Sequence, residues 1–149
     1  MNQTKMNSGK RLITILLVLS VFAGCATIST FDQQAYTRTT SVKVDALNVM
    51  DLAVDEYQMH ENSVSDLQTQ LQKIYEYEKN RPKNEITLKL WDKLLDENGH
   101  LLGGFIVRWK NETKLSKAFI TEEKKLVGVA FDQIAGLESN KLKSTDISD

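Results

Sequence analysis

His60 and His100 are the only imidazoles in the 149-residue chain, and 40 residues separate them. A helix-borne zinc site asks for histidines about one turn apart, at i and i+4, and that spacing is absent. Met50 and Met59 offer thioethers of the kind that suit Cu(I). Met50, however, falls on an apolar seam, and Met59-His60 falls where a helix should end, so no metal is expected. Carboxylates occur as adjacent pairs at Asp55-Glu56, Asp96-Glu97 and Glu122-Glu123. Neighbouring residues on a helix point in different directions, so these pairs suit a solvated surface better than an acid–base dyad. The chain has no Gly-x-Ser-x-Gly elbow, phosphate-binding loop or dinucleotide fingerprint. No catalytic residue is assigned, and the chain is not expected to be an enzyme.

Aromatic residues are more informative. Trp91, Phe105 and Trp109 lie within 19 residues, with Tyr75 and Tyr77 just before them. Large aromatics at helical spacing read first as core. Tryptophan and tyrosine also dominate binding hot spots, which makes Tyr77, Trp91 and Trp109 the candidate partner contacts. Tyr77 is the best of these for an exposed contact, because it stands off the apolar stripe of its helix.

The remaining reactive side chain is Cys25, the only cysteine. It follows a positive start (Lys5, Lys10, Arg11), an apolar run of 11 residues from Leu12 to Phe22, and the small pair Ala23-Gly24. These are the three zones of a secretory signal. The run is too short for a stable membrane span, which needs roughly 20 apolar residues. Val21-Phe22-Ala23-Gly24-Cys25 resembles the lipobox of bacterial lipoproteins, with Phe22 where an aliphatic residue is usual. The resemblance implies cleavage between Gly24 and Cys25, a diacylglycerol on the cysteine sulfur, and a lipid-anchored product. The alternatives are ordinary signal cleavage after Ala23 and a buried structural cysteine. Ala26, rather than an aspartate, resembles lipoproteins sorted to the outer membrane. Apart from this covalent lipid no cofactor is expected, and a lipidated Cys25 leaves neither a disulfide nor a thiol nucleophile.

The chain holds 19 Lys and Arg, three of them before Cys25, against 20 Asp and Glu. The mature part therefore carries 16 basic and 20 acidic side chains, about −4. Nucleic-acid binding calls for a clustered basic face, and none is present. The expected organisation is a signal at 1–24, a lipidated cysteine and tether at 25–30, a helical domain at 31–140 and a polar tail at 141–149.

Those residues must be carried by helices. Tyr36, Thr40, Lys43, Leu47, Met50, Val54 and Tyr57 fit a heptad seam, broadened by Ala46 and Ala53, and predict one long helix from about Asp32 to His60. Ser63 is the expected cap of a second helix along Val64, Leu67, Leu71, Ile74 and Glu78, which Pro82 terminates by forcing Arg81 from the α region. Asn84 is the expected cap of a third, through Ile86, Leu90, Trp91, Leu94 and Leu95 to a turn at Asp96-Glu97-Asn98-Gly99. A short fourth covers His100 to Asn111, with Gly103-Gly104 either preceding it or allowing another backbone to approach. Ser116 caps a last helix through about Asn140, with Phe119, Ile120, Val127, Ala130, Phe131, Ile134 and Leu137 inward. No strand periodicity appears. The fold class is all-α, an antiparallel bundle of four to five helices.

Phe31-Asp32-Gln33-Gln34-Ala35-Tyr36, Asn84-Glu85-Ile86-Thr87 with Trp91, Leu101-Leu102-Gly103-Gly104-Phe105, and Leu115-Ser116 with Ala118-Phe119-Ile120 together resemble a family of small lipobox-containing bacterial lipoproteins. That resemblance implies an address and a helical fold, and no activity. The expectation is a non-enzymatic, lipid-anchored periplasmic module at the outer membrane, acting on an envelope protein partner as accessory subunit or inhibitor. Two alternatives are a phage- or plasmid-encoded exclusion lipoprotein and an envelope-polymer hydrolase, the latter requiring His60 or His100 in a cleft beside a carboxylate.

Overall fold

The computed structural model describes residues 31–139, 141–143 and 146–147. Gly24, Cys25 and the expected signal and tether lie outside the described residues. The elements are α1 (Gln33–Asp51), α2 (Glu61–Lys79), α3 (Glu85–Leu95), α4 (Leu102–Glu112) and α5 (Lys117–Glu138), with 3₁₀ turns at Leu52–Val54 and Tyr57–His60. Among the described residues there is no strand, and no helix is long and apolar enough to cross a membrane.

The chain runs in four antiparallel passes between two poles. Helix α1 rises from the first pole and α2 returns to it; α3 and α4 together make the broken third pass, and α5 comes back. Each pass packs on two others, α1 on α2 and α5, and α3 on α2 and α5. Lys43 pairs with Asp132 and Lys124 with Asp51, which sets α1 antiparallel to α5.

Helix α1 lies differently from the expected seam. Its buried stripe is Ala35, Thr39, Val42, Ala46 and Met50, whereas Tyr36, Thr40, Lys43 and Leu47 are only half-buried and Val54 is exposed. Small side chains at the centre let α1 approach two neighbours closely, and the bulkier residues fill the flanks. Nor is it one helix as far as His60. Asp55 is extended (φ −101°, ψ 174°), and its carbonyl accepts a hydrogen bond from the Trp109 indole at 3.0 Å. The amide of Tyr57 bonds to the Thr113 carbonyl, and that of Leu115 to the Ala53 carbonyl. These tertiary bonds replace the helical ones that the turn gives up, as buried backbone groups require.

The second seam is as expected: Val64, Leu67, Leu71, Ile74 and Glu78 are all buried, and α2 stops at Lys79 before Pro82. Ser63 is not its cap, because the preceding 3₁₀ turn runs straight into α2 at Glu61. Ser116 does cap α5, accepting from the Phe119 amide at 3.3 Å. Beyond α5, the amides of Lys141 and Leu142 bond back to the Gly136 carbonyl, so this part of the expected polar tail is folded onto the helix.

Gly103 and Gly104 sit inside the first turn of α4, and close approach is the reason. A Cβ on Gly103 would lie 2.3 Å from the Leu95 carbonyl oxygen, and one on Gly104 would lie 1.9 Å from that of Gly99. The break between α3 and α4 is thus pinned backbone against backbone. Helices α2 and α4 do not pack extensively against one another, and a cleft opens between them.

Candidate functional site

Two places gather unusual chemistry. At the first pole, Pro82 ends α2 and Lys83 takes the left-handed region (φ 58°), folding Arg81 back beneath the helix it has just left. The Arg81 Nη1 group donates to Oε2 of Glu78 at 2.7 Å and also to Oε2 of Glu138 from the last turn of α5. Glu78 and Glu138 are 0% and 1% exposed. Asn84 does not cap α3 as expected; its Nδ2 donates to the Glu78 carbonyl at 2.9 Å and to Glu78 Oε2 at 2.7 Å. A buried carboxylate with few donors costs more than an uncapped helix end, so the amide serves Glu78.

Asp32 extends the network to α1. One of its oxygens caps the helix, accepting from the amides of Gln34 and Ala35, and the other accepts from the Tyr77 hydroxyl at 2.6 Å, with Arg81 Nε 3.5 Å away. The Tyr77 bond, followed by the Ala35 bond, holds Asp32 below its ordinary acidity of 3.8, while the same bond pushes the Tyr77 phenol up. Burial works against the charge on Arg81, yet Glu78 and Glu138 outweigh it and hold the guanidinium protonated more firmly than usual. Glu138 goes the other way: burial, followed by repulsion from Glu78, pushes it from 4.5 up to about 7, against the pull of Arg81 and Thr87. Oε1 of Glu78, Oε1 of Glu138 and Oδ1 of Asn84 are three buried oxygens that accept no hydrogen bond from the described residues.

The second place is the cleft of about 240 Å³ between α2 and α4. Leu71, Leu95, Leu102, Ile106 and Val107 give it apolar walls, and Gln68, Gln72, Tyr75 and Glu97 edge it. A shallower depression continues past Tyr75 and Leu95 to Asp92, Lys93 and Asp96. The Tyr75 hydroxyl donates to Asp92 at 2.6 Å, which raises the phenol's acidity constant above 10.0 and ties α2 to α3 at the junction.

The candidate contact residues separate. Trp91 and Trp109 are both 0% exposed and belong to the core, Trp91 edge-on to Phe131 (5.9 Å) and Trp109 edge-on to Tyr57 (5.3 Å). Phe105 stacks on Phe119 instead, so the aromatics form separate layers rather than one cluster. Tyr77 is half-buried, its ring beneath the Arg38 guanidinium at 4.9 Å and its hydroxyl committed to Asp32. His60 faces Asp55 at 3.5 Å and packs on Trp109, while His100 is exposed at the α3–α4 turn. No group of three or more His, Cys, Asp or Glu among the described residues is placed to hold a metal ion.

Arg81, Asn84 and Glu138 were not singled out by the sequence as functional. The available signal was an acid at a seam position: Glu78 follows Ile74 by four, and Glu138 follows Ile134 by four. Two acids at core positions call for one buried base, and Arg81 is held at the turn between them by Pro82. Comparison with protein-family models, with curated proteins and with solved structures gives no match, so the functional reading rests on the geometry of this pole and this cleft.

Proposed function

We propose that the chain is a lipid-anchored, non-enzymatic interaction module of the bacterial envelope, tethered through Cys25 and binding a partner protein in the cleft between α2 and α4. The carrying observation is the cleft itself: a bundle that needed only to be stable would close α4 onto α2, whereas here the third pass is broken and the gap kept open with apolar walls. Burying such walls is the main driving force of association. Asp92, Asp96 and Glu97 outnumber Lys93 along the edge, so the fitting occupant is a polypeptide segment with apolar side chains flanked by Lys or Arg. The carboxamides of Gln68 and Gln72, one helical turn apart, suit hydrogen bonding to its backbone. The acids at the first pole are engaged in holding helices together, which favours a binding role over an acid–base one.

The test uses the full chain in its native envelope, with a photo-crosslinking amino acid at Gln72 in the cleft or at Gln58 in the exposed surface near the opposite pole. The expected result is one partner crosslinked from Gln72 only, through a segment combining an apolar run with basic residues, and lost in Val107→Glu. Equal crosslinking from both positions, or none, would overturn the assignment of the cleft. Separately, Cys25→Ala should release the chain from membrane fractions; unchanged fractionation would contradict the anchor.

A further inference from the structure

The buried cluster at the first pole is short of positive charge. Around Arg81 stand Glu78 from α2, Glu138 from α5 and, further out, Asp32 from the start of α1. Among the described residues, the other group acting on Glu138 is the neutral Thr87 on α3, while Asn84 in the turn serves Glu78 and Tyr77 reaches Asp32 beyond. Both glutamates are buried, and each keeps one oxygen without a donor among the described residues. Two carboxylates on one guanidinium nitrogen repel strongly where water is excluded. A proton on Glu138 relieves the repulsion by removing one anion, and on Oε1 it turns one of the two orphan acceptors into a donor.

The groups involved belong to different elements. Glu138 is the final residue of α5, where its carboxyl meets Arg81 of the α2–α3 turn beside the buried Leu137. We propose that the Glu78–Arg81–Glu138 cluster is a proton-operated latch, closing the last turn of α5 onto the first pole when Glu138 is protonated and releasing it when Glu138 ionises. Burial holds Glu138 near 7, so the latch works in the neutral range rather than in strong acid. The region it frees is confined: Ile134 and Phe131, one and two turns back, are fully buried and keep the body of α5 in place, whereas the residues after Glu138 hang on bonds to Ala135 and Gly136. The latch lies at the pole where the chain leads back from Asp32 toward residue 25, so opening loosens the end of the domain next to the tether and leaves the α2–α4 cleft intact.

Hydrogen exchange of the full chain in detergent micelles tests this at pH 5.5 and 8.5, after correction for intrinsic rates. Protection of the amides from Ala135 to Ser139 should fall at least about tenfold at the higher pH, since each pH unit above the midpoint weakens the closed form about tenfold. Amides from Val42 to Met50 in α1, which open only with the whole fold, should remain the better protected set at both pH values. Glu138→Gln should remove the pH dependence. A carboxyl NMR titration of the unsubstituted chain should place the Glu138 midpoint between about 6 and 8, and it decides the matter if the variant fails to fold. Equal protection at both pH values, a pH dependence surviving in Glu138→Gln, or a Glu138 midpoint near that of an ordinary glutamate would each overturn the latch.

Discussion

Replacing Gly103 by alanine sets two effects of opposite sign against each other. Alanine is favoured over glycine inside a helix by about 1 kcal/mol, and less than that at Gly103, which is only the second residue of α4. Against this, the new Cβ would meet the Leu95 carbonyl oxygen at 2.3 Å and the Leu95 carbonyl carbon and Asp96 carbonyl oxygen at 2.6 Å. All three are backbone atoms, so no side chain can swing away. Helix α4 must retreat by roughly 1 Å, at the upper end of the 1–3 kcal/mol typical of overpacking. The net expectation is a loss of about 2 kcal/mol. Gly128 is the control, because it lies within α5 and a Cβ there would meet only Lys43 Cε at 4.0 Å. The same substitution should stabilise by roughly 0.5–1 kcal/mol. Urea unfolding followed by far-UV circular dichroism reads both as shifts of midpoint at constant slope. A Gly103→Ala chain as stable as the unsubstituted one would refute the claim that backbone contact at the α3–α4 junction requires glycine.

Glu138 makes stability depend on pH in a direction unusual for a carboxylate. Its acidity constant is raised in the folded chain from 4.5 to about 7, so its contribution is fully present below about pH 4.5 and lost as pH rises through 7, a change of roughly 3 kcal/mol at about 1.4 per pH unit. Urea unfolding at intervals between pH 4.5 and 8.5 should show that decline, and Glu138→Gln should flatten it. Asp32 acts oppositely, since its lowered value contributes stability above pH 3.8 that is lost in stronger acid. Arg81→Ala leaves two buried carboxylates without their cation and should cost about 3–5 kcal/mol, with the loss largest above neutral pH in the same assay. Trp109→Phe removes the bond to the Asp55 carbonyl and some buried ring, and should cost about 1–3 kcal/mol by thermal unfolding. Asp32→Ala loses both capping bonds of α1, about 1–2 kcal/mol, and should return the Tyr77 phenol toward its ordinary titration in an ultraviolet pH series.

Much of the fold was legible in the chain because helices are written locally. The run Val64, Leu67, Leu71, Ile74, Glu78 repeats at the helical period, and all five are buried. Pro82, the turn at Asp96–Gly99 and the Ser116 cap act within a few residues of themselves, and each lies where a helix begins or ends. What needed the assembled bundle were choices between locally equivalent options. Helix α1 carries two apolar stripes of helical period, and the smaller one, through Ala35 and Ala46, faces inward because two other helices must approach it closely. The expected long helix ends at Asp51 because Trp109, Thr113 and Leu115 hold the turn from far along the chain. Asn84 has the right residue type to cap a helix, yet it serves a glutamate that burial has left short of donors.

The first-pole cluster shows the same division. Glu78 was visible as an acid on an apolar seam, but Glu138 lies 60 residues away and became its neighbour only when α5 returned antiparallel. Periodicity and capping depend on atoms a few bonds apart, so the sequence alone determined the all-helical class, the breaks at Pro82 and at Asp96–Gly99, and the Ser116 cap. Burial, by contrast, is a property of surfaces brought together. Only the tertiary structure decided which face of α1 is core, where the α2–α4 cleft opens, and that two carboxylates share one arginine out of reach of water.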